Sequence, residues 1–299
     1  MILTGCSDKN ALPPVPSGVQ AYSLLGDTLF TPLLTPESYD HHTANLMEAI
    51  ADYRVDPEDP DNIIWLGRRT AYLGEYREAV GIFTEGVYKH PDDPRMFRHR
   101  GHRYITLRQF DMAINDFLTA AGLMSSMRDQ IEPDGLPNAL NQPVSTLKSN
   151  VWYHLGLSYY LKGDYDKAIE TYENAFELDL TKDMYIATLY WYYSALKRSG
   201  LDEEAGMAIS GVTPEVELIE NDVYLNLILV FNGIFDADRI TSEIGEDELS
   251  NTTMLYGLGN WHYMNGRQER AFEIWRSIYE SGNWAPFGYI AAEAELERL

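Results

Sequence analysis

The strongest constraint on this chain is that it repeats itself. Gly101, Phe110, Ala113 and Phe117 stand 34 positions after Gly67, Tyr76, Ala79 and Phe83, and Asp93-Pro94 stands 34 after Asp59-Pro60. Within each copy, apolar residues recur every three to four positions on either side of a break such as Gly74-Glu75-Tyr76. That is the period of two short amphipathic helices. The clearest unit runs from Asn150 to Leu180: Trp152, Leu155, Gly156 and Tyr159 precede the Lys162-Gly163-Asp164 turn, and Ala168, Ile169, Tyr172, Ala175 and Phe176 follow it. Gly156 and Ala168 are small where the two helices would cross. One hairpin of this kind is too thin to bury its own apolar side, so copies must stack, and the stack is an elongated all-α solenoid of helical hairpins.

The residues that repeat resemble the tetratricopeptide signature. They are Leu66-Gly67, Ala79, Phe83 and Pro91; Gly101, Tyr104, Ala113, Phe117 and Ala120; Trp152, Leu155, Gly156, Tyr159, Ala168, Tyr172 and Ala175; and Leu255, Leu258, Gly259, Gly266, Ala271 and Trp275. Arg100 departs from the pattern where leucine is usual, and Leu180 where proline usually closes a repeat. The resemblance spans residues 60–283 and implies a tetratricopeptide-repeat superhelix of five to six hairpins, with degenerate units at Met184–Ala208 and Asn221–Ile244. For function it implies a non-catalytic module that holds a protein or peptide segment in a concave groove lined by the first helix of each hairpin.

Around this array (59–283) the chain divides into a tether at 1–20, expected to be disordered, an arm and capping helix at 21–58, and a capping helix at 284–299. Tyr22 to Leu34 lacks a helical period and reads as an extended arm whose leucines and Phe30 lie against the body; Thr35 and Pro36 then start a helix that runs to about Val55. The last helix is read as exposing Glu293, Glu295, Glu297 and Arg298 on a polar outer face. An inserted loop at 124–148 contains Pro133, Asp134-Gly135 and Pro137, so it holds at least one turn and no long helix. The single cysteine, Cys6, excludes an internal disulfide and a thiolate metal cluster. Leu3-Thr4-Gly5-Cys6 resembles the lipobox of bacterial lipoproteins, which implies lipidation of Cys6 and a place in the bacterial cell envelope. Met1-Ile2 carry no export leader, so an envelope location requires an upstream start and the cytoplasm is expected otherwise.

A net charge of −23 opposes binding to phosphate backbones and to anionic lipid. No phosphate-binding loop, nucleophile elbow or zinc-protease histidine pair is present, so no cofactor, no metal and no catalytic residue is assigned. Asp40-His41-His42 are adjacent on a helix and point too far apart to chelate one ion. Against the acidic background, Arg95, Arg98, His99, Arg100, His102, Arg103 and Arg108 cluster in one helix and its turn. Transferring the tetratricopeptide register puts Arg68 and Tyr72, then Arg95, Arg98 and His102, then Tyr153, Leu157 and Tyr160 on the groove as candidate ligand residues for a partner with acidic groups. The clamp residues typical of peptide-carboxylate recognition in that family are not reproduced. Arg69, Arg100 and Arg103 are read instead as architectural, pairing internally with carboxylates. Glu132 and Asp134 offer a competing outcome, in which the inserted loop folds into the groove as an internal plug. Two other functions stand beside peptide binding: a self-associating scaffold that uses the Tyr22–Leu34 arm, and an accessory subunit binding a small anion or sugar for an enzyme.

Overall fold

The computed structural model describes residues 12–237 and 248–299. Cys6, and residues 238–244 of the degenerate unit at Asn221–Ile244, lie outside the described residues.

Helices begin where the sequence is punctuated. Thr35, Asp59 and Asp93 cap α1 (Pro36–Val55), α2 (Pro60–Tyr72) and α4 (Pro94–Thr106) through their side chains, and proline occupies the first turn of each, where its missing N–H costs nothing. Tyr76–Lys89 forms α3 and Phe110–Leu123 forms α5, completing the first two hairpins. The third pairs α6 (Leu147–Lys162), opened by a Thr146/Ser149 capping box, with α7 (Tyr165–Phe176). Then come α8 (Lys182–Arg198), α9 (Asp202–Ile209) and α10 (Asp222–Phe231), followed by the hairpin of α11 (Glu248–Met264) and α12 (Gln268–Glu280), and finally α13 (Phe287–Glu297).

Four hairpins share one packing device. Gly67, Gly101, Gly156 and Gly259 each face an aromatic ring sixteen positions later, on Phe83, Phe117, Tyr172 and Trp275. A Cβ would come within 2.9 Å of the ring at Gly101 and closer at the other three. The ring lies flush on backbone, so helix and helix approach at the same point in each copy. Tyr190, Trp191 and Tyr193 are all buried, as a helix enclosed on both sides requires, because α8 packs against α6, α7, α9, α10 and α11.

The two ends of the array are folded back onto each other. Residues 12–18 lead into a two-stranded antiparallel hairpin of β1 (Val19–Tyr22) and β2 (Thr28–Phe30), with Val19, Ala21 and Leu29 buried. The expected disorder therefore does not extend to Val19 and Gln20. The Gln20 amide bonds to Glu75 at 2.9 Å and to Thr31 at 3.1 Å, which fixes the strand on the start of α3. Of the arm's apolar side chains, Leu29 is buried while Tyr22, Leu25, Phe30 and Leu33 are exposed, so Phe30 does not lie against the body. At the far end, Ser23 meets the Tyr279 hydroxyl at 2.9 Å, and the Trp284 indole donates to the Phe30 carbonyl at 2.9 Å.

The last helix is not a polar-faced cap. Residues 288–295 of α13 are buried throughout, and two of its glutamates, Glu293 and Glu295, are paired with arginines from earlier hairpins, while Glu297 is exposed. Arg108 donates to Glu293 at 2.5 Å, with side-chain exposures of 2% and 0%, and Glu293 also accepts the Leu24 N–H at 2.5 Å. Glu295 pairs with Arg198 at 2.8 Å and with Arg298 at 3.1 Å. Arg108 sits in the turn register of Gly74 but is not glycine. It takes φ 61° where Gly74 has 83°, a conformation disfavoured for a side-chain-bearing residue. The contacts to Glu293 and to the Trp284 carbonyl at 2.9 Å offset that strain.

Two outcomes test this packing. Gly156→Ala drives a methyl into the Tyr172 ring and should cost about 1–3 kcal/mol in denaturant unfolding, whereas Gly206→Ala, with open space around it in α9, should be neutral or mildly stabilising. Glu293→Gln leaves the Arg108 charge buried without its partner and should cost roughly 3–5 kcal/mol. Adding Arg108→Gly, which removes both the charge and the strained φ, should recover part of that loss.

Candidate binding site

The sequence PRMFRHRGHRYIT of α4 places Arg95, Arg98 and His102 on one helical face. Arg95 is not available to a ligand. Its guanidinium pairs with Asp93 at 2.6 Å and Asp61 at 2.5 Å, carboxylates set beside it by the starts of α4 and α2. Arg98 is buried and pairs with Glu132 of the inserted loop at 2.9 Å. Burial pulls its guanidinium below the ordinary arginine value, while Glu132 opposes that and the Arg68 charge adds to it. The turn following Glu132 lies directly on α2: Arg68 donates to the Pro133 carbonyl and Arg69 to the Gly135 carbonyl, both at 2.8 Å. Any side chain at 135 would strike the Tyr72 hydroxyl and the Arg68 guanidinium. Arg68, Tyr72, Arg98 and His102 lie together, and the chain's own Glu132–Gly135 turn sits on Arg68, Tyr72 and Arg98 as a plug.

The candidates on α6 separate. Leu157 and Tyr160 are 0% and 1% exposed and belong to the core, not to an open groove. The Tyr160 hydroxyl meets that of Tyr256 at 2.8 Å, because α13 and α11 close over the part of α6 that an open array would leave bare. Tyr153 is also buried, accepting the Trp191 indole N–H at 2.9 Å and meeting the Tyr224 hydroxyl at 3.1 Å, yet one side of it borders open space.

That space is a cleft of about 840 Å³ bounded by α4, α6, α10 and the start of α13, with Leu33 and Leu34 of the arm and Asp134 and Val144 of the inserted loop at its walls. His102, Arg103, Asn150, Tyr153, Tyr224 and Phe287 converge on it. The Phe287 ring lies 5.1 Å from His102 and 5.5 Å from His154, and His102 lies 4.7 Å from His154. Burial, reinforced by neighbouring arginines, holds His99, His102 and His154 well below the usual histidine range, so all three are neutral at pH 7. Among the described residues, no group of three or more His, Cys, Asp or Glu is arranged to hold a metal ion, and no helix is long and apolar enough to cross a membrane.

A family model described as tetratricopeptide repeat matches residues 149–181, the α6–α7 hairpin whose glycine crossing recurs in three other hairpins. That hairpin is a tetratricopeptide repeat. A cattle protein described as BBSome complex member BBS4 is 28% identical over 156 residues, covering 51% of this chain. The chain spans about a quarter (26%) of that relative's length. Among solved structures, a tetratricopeptide repeat protein from Parabacteroides merdae is similar at 16% identity and TM-score 0.49, with 88% of this chain and 100% of that one covered. YrrB, described as a TPR protein with an unusual peptide-binding site, is similar at 14% identity and TM-score 0.44, with coverages of 83% and 97%.

In this array of helical hairpins the first-helix face is largely occupied from within, by the inserted loop at one end and α13 at the other. Of the three arginines read as architectural, Arg100 pairs with Asp116 through two 2.8 Å bonds, and Arg69 is held by a backbone carbonyl. Arg103 faces the cleft instead, with no carboxylate paired to it among the described residues, which the architectural reading did not anticipate. The signal was available: Arg103 repeats Arg69 at 34 positions, where the repeat normally carries a small residue. Tyr224 and Phe287 carried no such signal, since they reach the cleft from α10 and α13.

Glu132→Gln removes the plug's anion and leaves Arg98 without its ion-pair partner. Amide hydrogen exchange across residues 129–147 should then accelerate by one to two orders of magnitude (about 1.4–2.8 kcal/mol of lost protection), with exchange in α6 and α7 much less affected.

Proposed function

We propose that this protein is a non-catalytic scaffold that binds a peptide or protein segment carrying acidic groups. The tetratricopeptide fold supports the general reading of a protein-binding module. The cleft between α4, α6, α10 and α13 is where we place the partner, because the regular groove is filled by the chain itself. The observation that carries this reading is the cleft's size and lining: about 840 Å³, walled by Tyr153, Tyr224 and Phe287 with arginine and asparagine among them. Pockets of this scale that combine aromatic walls with a few polar groups are suited to holding side chains in a fixed orientation. The arm, which could otherwise reach a neighbouring molecule, is bonded to its own chain at Glu75, Tyr279 and Trp284.

Random-peptide display on the wild-type protein tests the assignment. Enriched peptides should bind with micromolar affinity and lose at least about tenfold in Ala285→Trp, which fills the cleft from its rim, with an unchanged melting temperature. Peptides that bind the variant equally well, or a failure to enrich any peptide, would remove the cleft assignment.

A further inference from the structure

We propose that Arg103 is the anchor of this cleft and takes a carboxylate of the bound segment, next to an aromatic or aliphatic group of the same ligand that packs on Tyr153, Tyr224 and Phe287. The proposal rests on the reading of the cleft as the binding site and narrows it to one residue and one chemistry.

Arg103 differs from the other arginines near it. Arg95, Arg98, Arg100 and Arg108 each pair with a carboxylate, and Arg68 and Arg69 each donate to a backbone carbonyl of the inserted loop. Among the described residues, Arg103 has neither an ion pair nor a side-chain hydrogen bond; its neighbour is the Tyr76 ring, 5.6 Å from the guanidinium carbon. Burial pushes its guanidinium down to about 10, with the Arg98 and Arg68 charges adding to that, so it remains protonated at neutral pH. A partly buried guanidinium held without a counter-ion is expensive, and the usual repair is an internal carboxylate. Neither of the two acids that border the same cleft pairs with it: Glu220 accepts from Asn138 at 2.5 Å, and Asp134, whose carboxyl burial pushes up against the opposing Arg68 charge, forms no ion pair with Arg103.

The shape of the site selects the ligand. A guanidinium presents a planar fork of donors that matches the two oxygens of a carboxylate, and such charge-assisted pairs strengthen where water is thinned. The apolar portion of the wall, with Val223 and Met184 beside the aromatic rings, leaves room for a hydrophobic group attached to that carboxylate. The net charge of −23 keeps acids away from most of the surface, so an uncompensated cation inside a cleft supplies selectivity for where an acidic segment settles.

The carboxylate could be a side chain or a chain terminus, and three probes separate these: acetyl-Phe-Glu-amide, acetyl-Phe-Ala with a free carboxylate, and the neutral acetyl-Phe-Ala-amide. Calorimetric or NMR titration of the wild-type protein should find one of the acids bound about tenfold or more tightly than the neutral amide, the preference expected of a charge-assisted pair. Arg103→Met should abolish the preference while the melting temperature stays level or rises, because an unpaired cation has been removed. Arg103→Lys, which keeps the charge and loses the fork, should retain only part of it. Acids no tighter than the amide in the wild type, no saturable binding of either acid, or an unchanged preference in Arg103→Met would each overturn the proposal. If the neutral amide binds and Ala285→Trp excludes it, the cleft stands and only the anchor falls; if display-selected peptides ignore Ala285→Trp, the cleft itself has failed.

Discussion

Everything in this fold depends on an aromatic ring lying against bare backbone. At Gly67, Gly101, Gly156 and Gly259 the absence of a side chain lets the second helix of the hairpin settle its ring onto the first. The contact sets the distance and crossing of the pair, and because it recurs at one position in each copy, successive hairpins present alike surfaces to one another. Close packing of this kind tolerates little change in volume, so the crossing acts as a fixed point from which the rest of the stack is propagated.

Regular stacking leaves a curved face on the side of the first helices, and most of the polar chemistry of the molecule serves to fill it. The Glu132–Gly135 turn settles on Arg68, Arg69 and Arg98, and α13 brings Glu293 and Glu295 to Arg108 and Arg198. Each of these arginines is paired with something distant in sequence, which explains how an acidic protein can bury so much of its limited positive charge. The space that remains, the cleft beside Arg103, is defined by what the fillers do not reach.

The repeat itself was legible because it is local. An offset of 34 residues fixed the hairpins, and Asp-Pro and Thr-Pro pairs marked their starts. The closure was not legible, because its partners lie far apart: Arg108 and Glu293 are separated by 185 positions, and nothing near either residue signals the other. Glu293 and Glu295 were read as a solvated face for the same reason, since a glutamate in sequence looks exposed until an arginine is found for it. Leu157 and Tyr160 were placed on an open groove by a register that holds for an uncapped array and fails once α13 covers α6. Arg98 and Arg68 do lie side by side, yet what they hold is the chain's own loop.

The joining of arm, second hairpin and final helix at Glu293 changes the statistical mechanics of the molecule. In an open solenoid each unit senses only its neighbours, so terminal units can fray while the middle persists. Here the turn between β1 and β2 and the turn between α4 and α5 both bond to one carboxylate of the last helix. Losing the last helix strands the Arg108 guanidinium in the interior, and losing the arm takes a donor from the carboxylate that holds it, so fraying at either end disturbs the middle. A chain assembled from near-independent modules is thereby expected to melt as a single cooperative body, and a lesion in its opening strand should be felt in its closing helix.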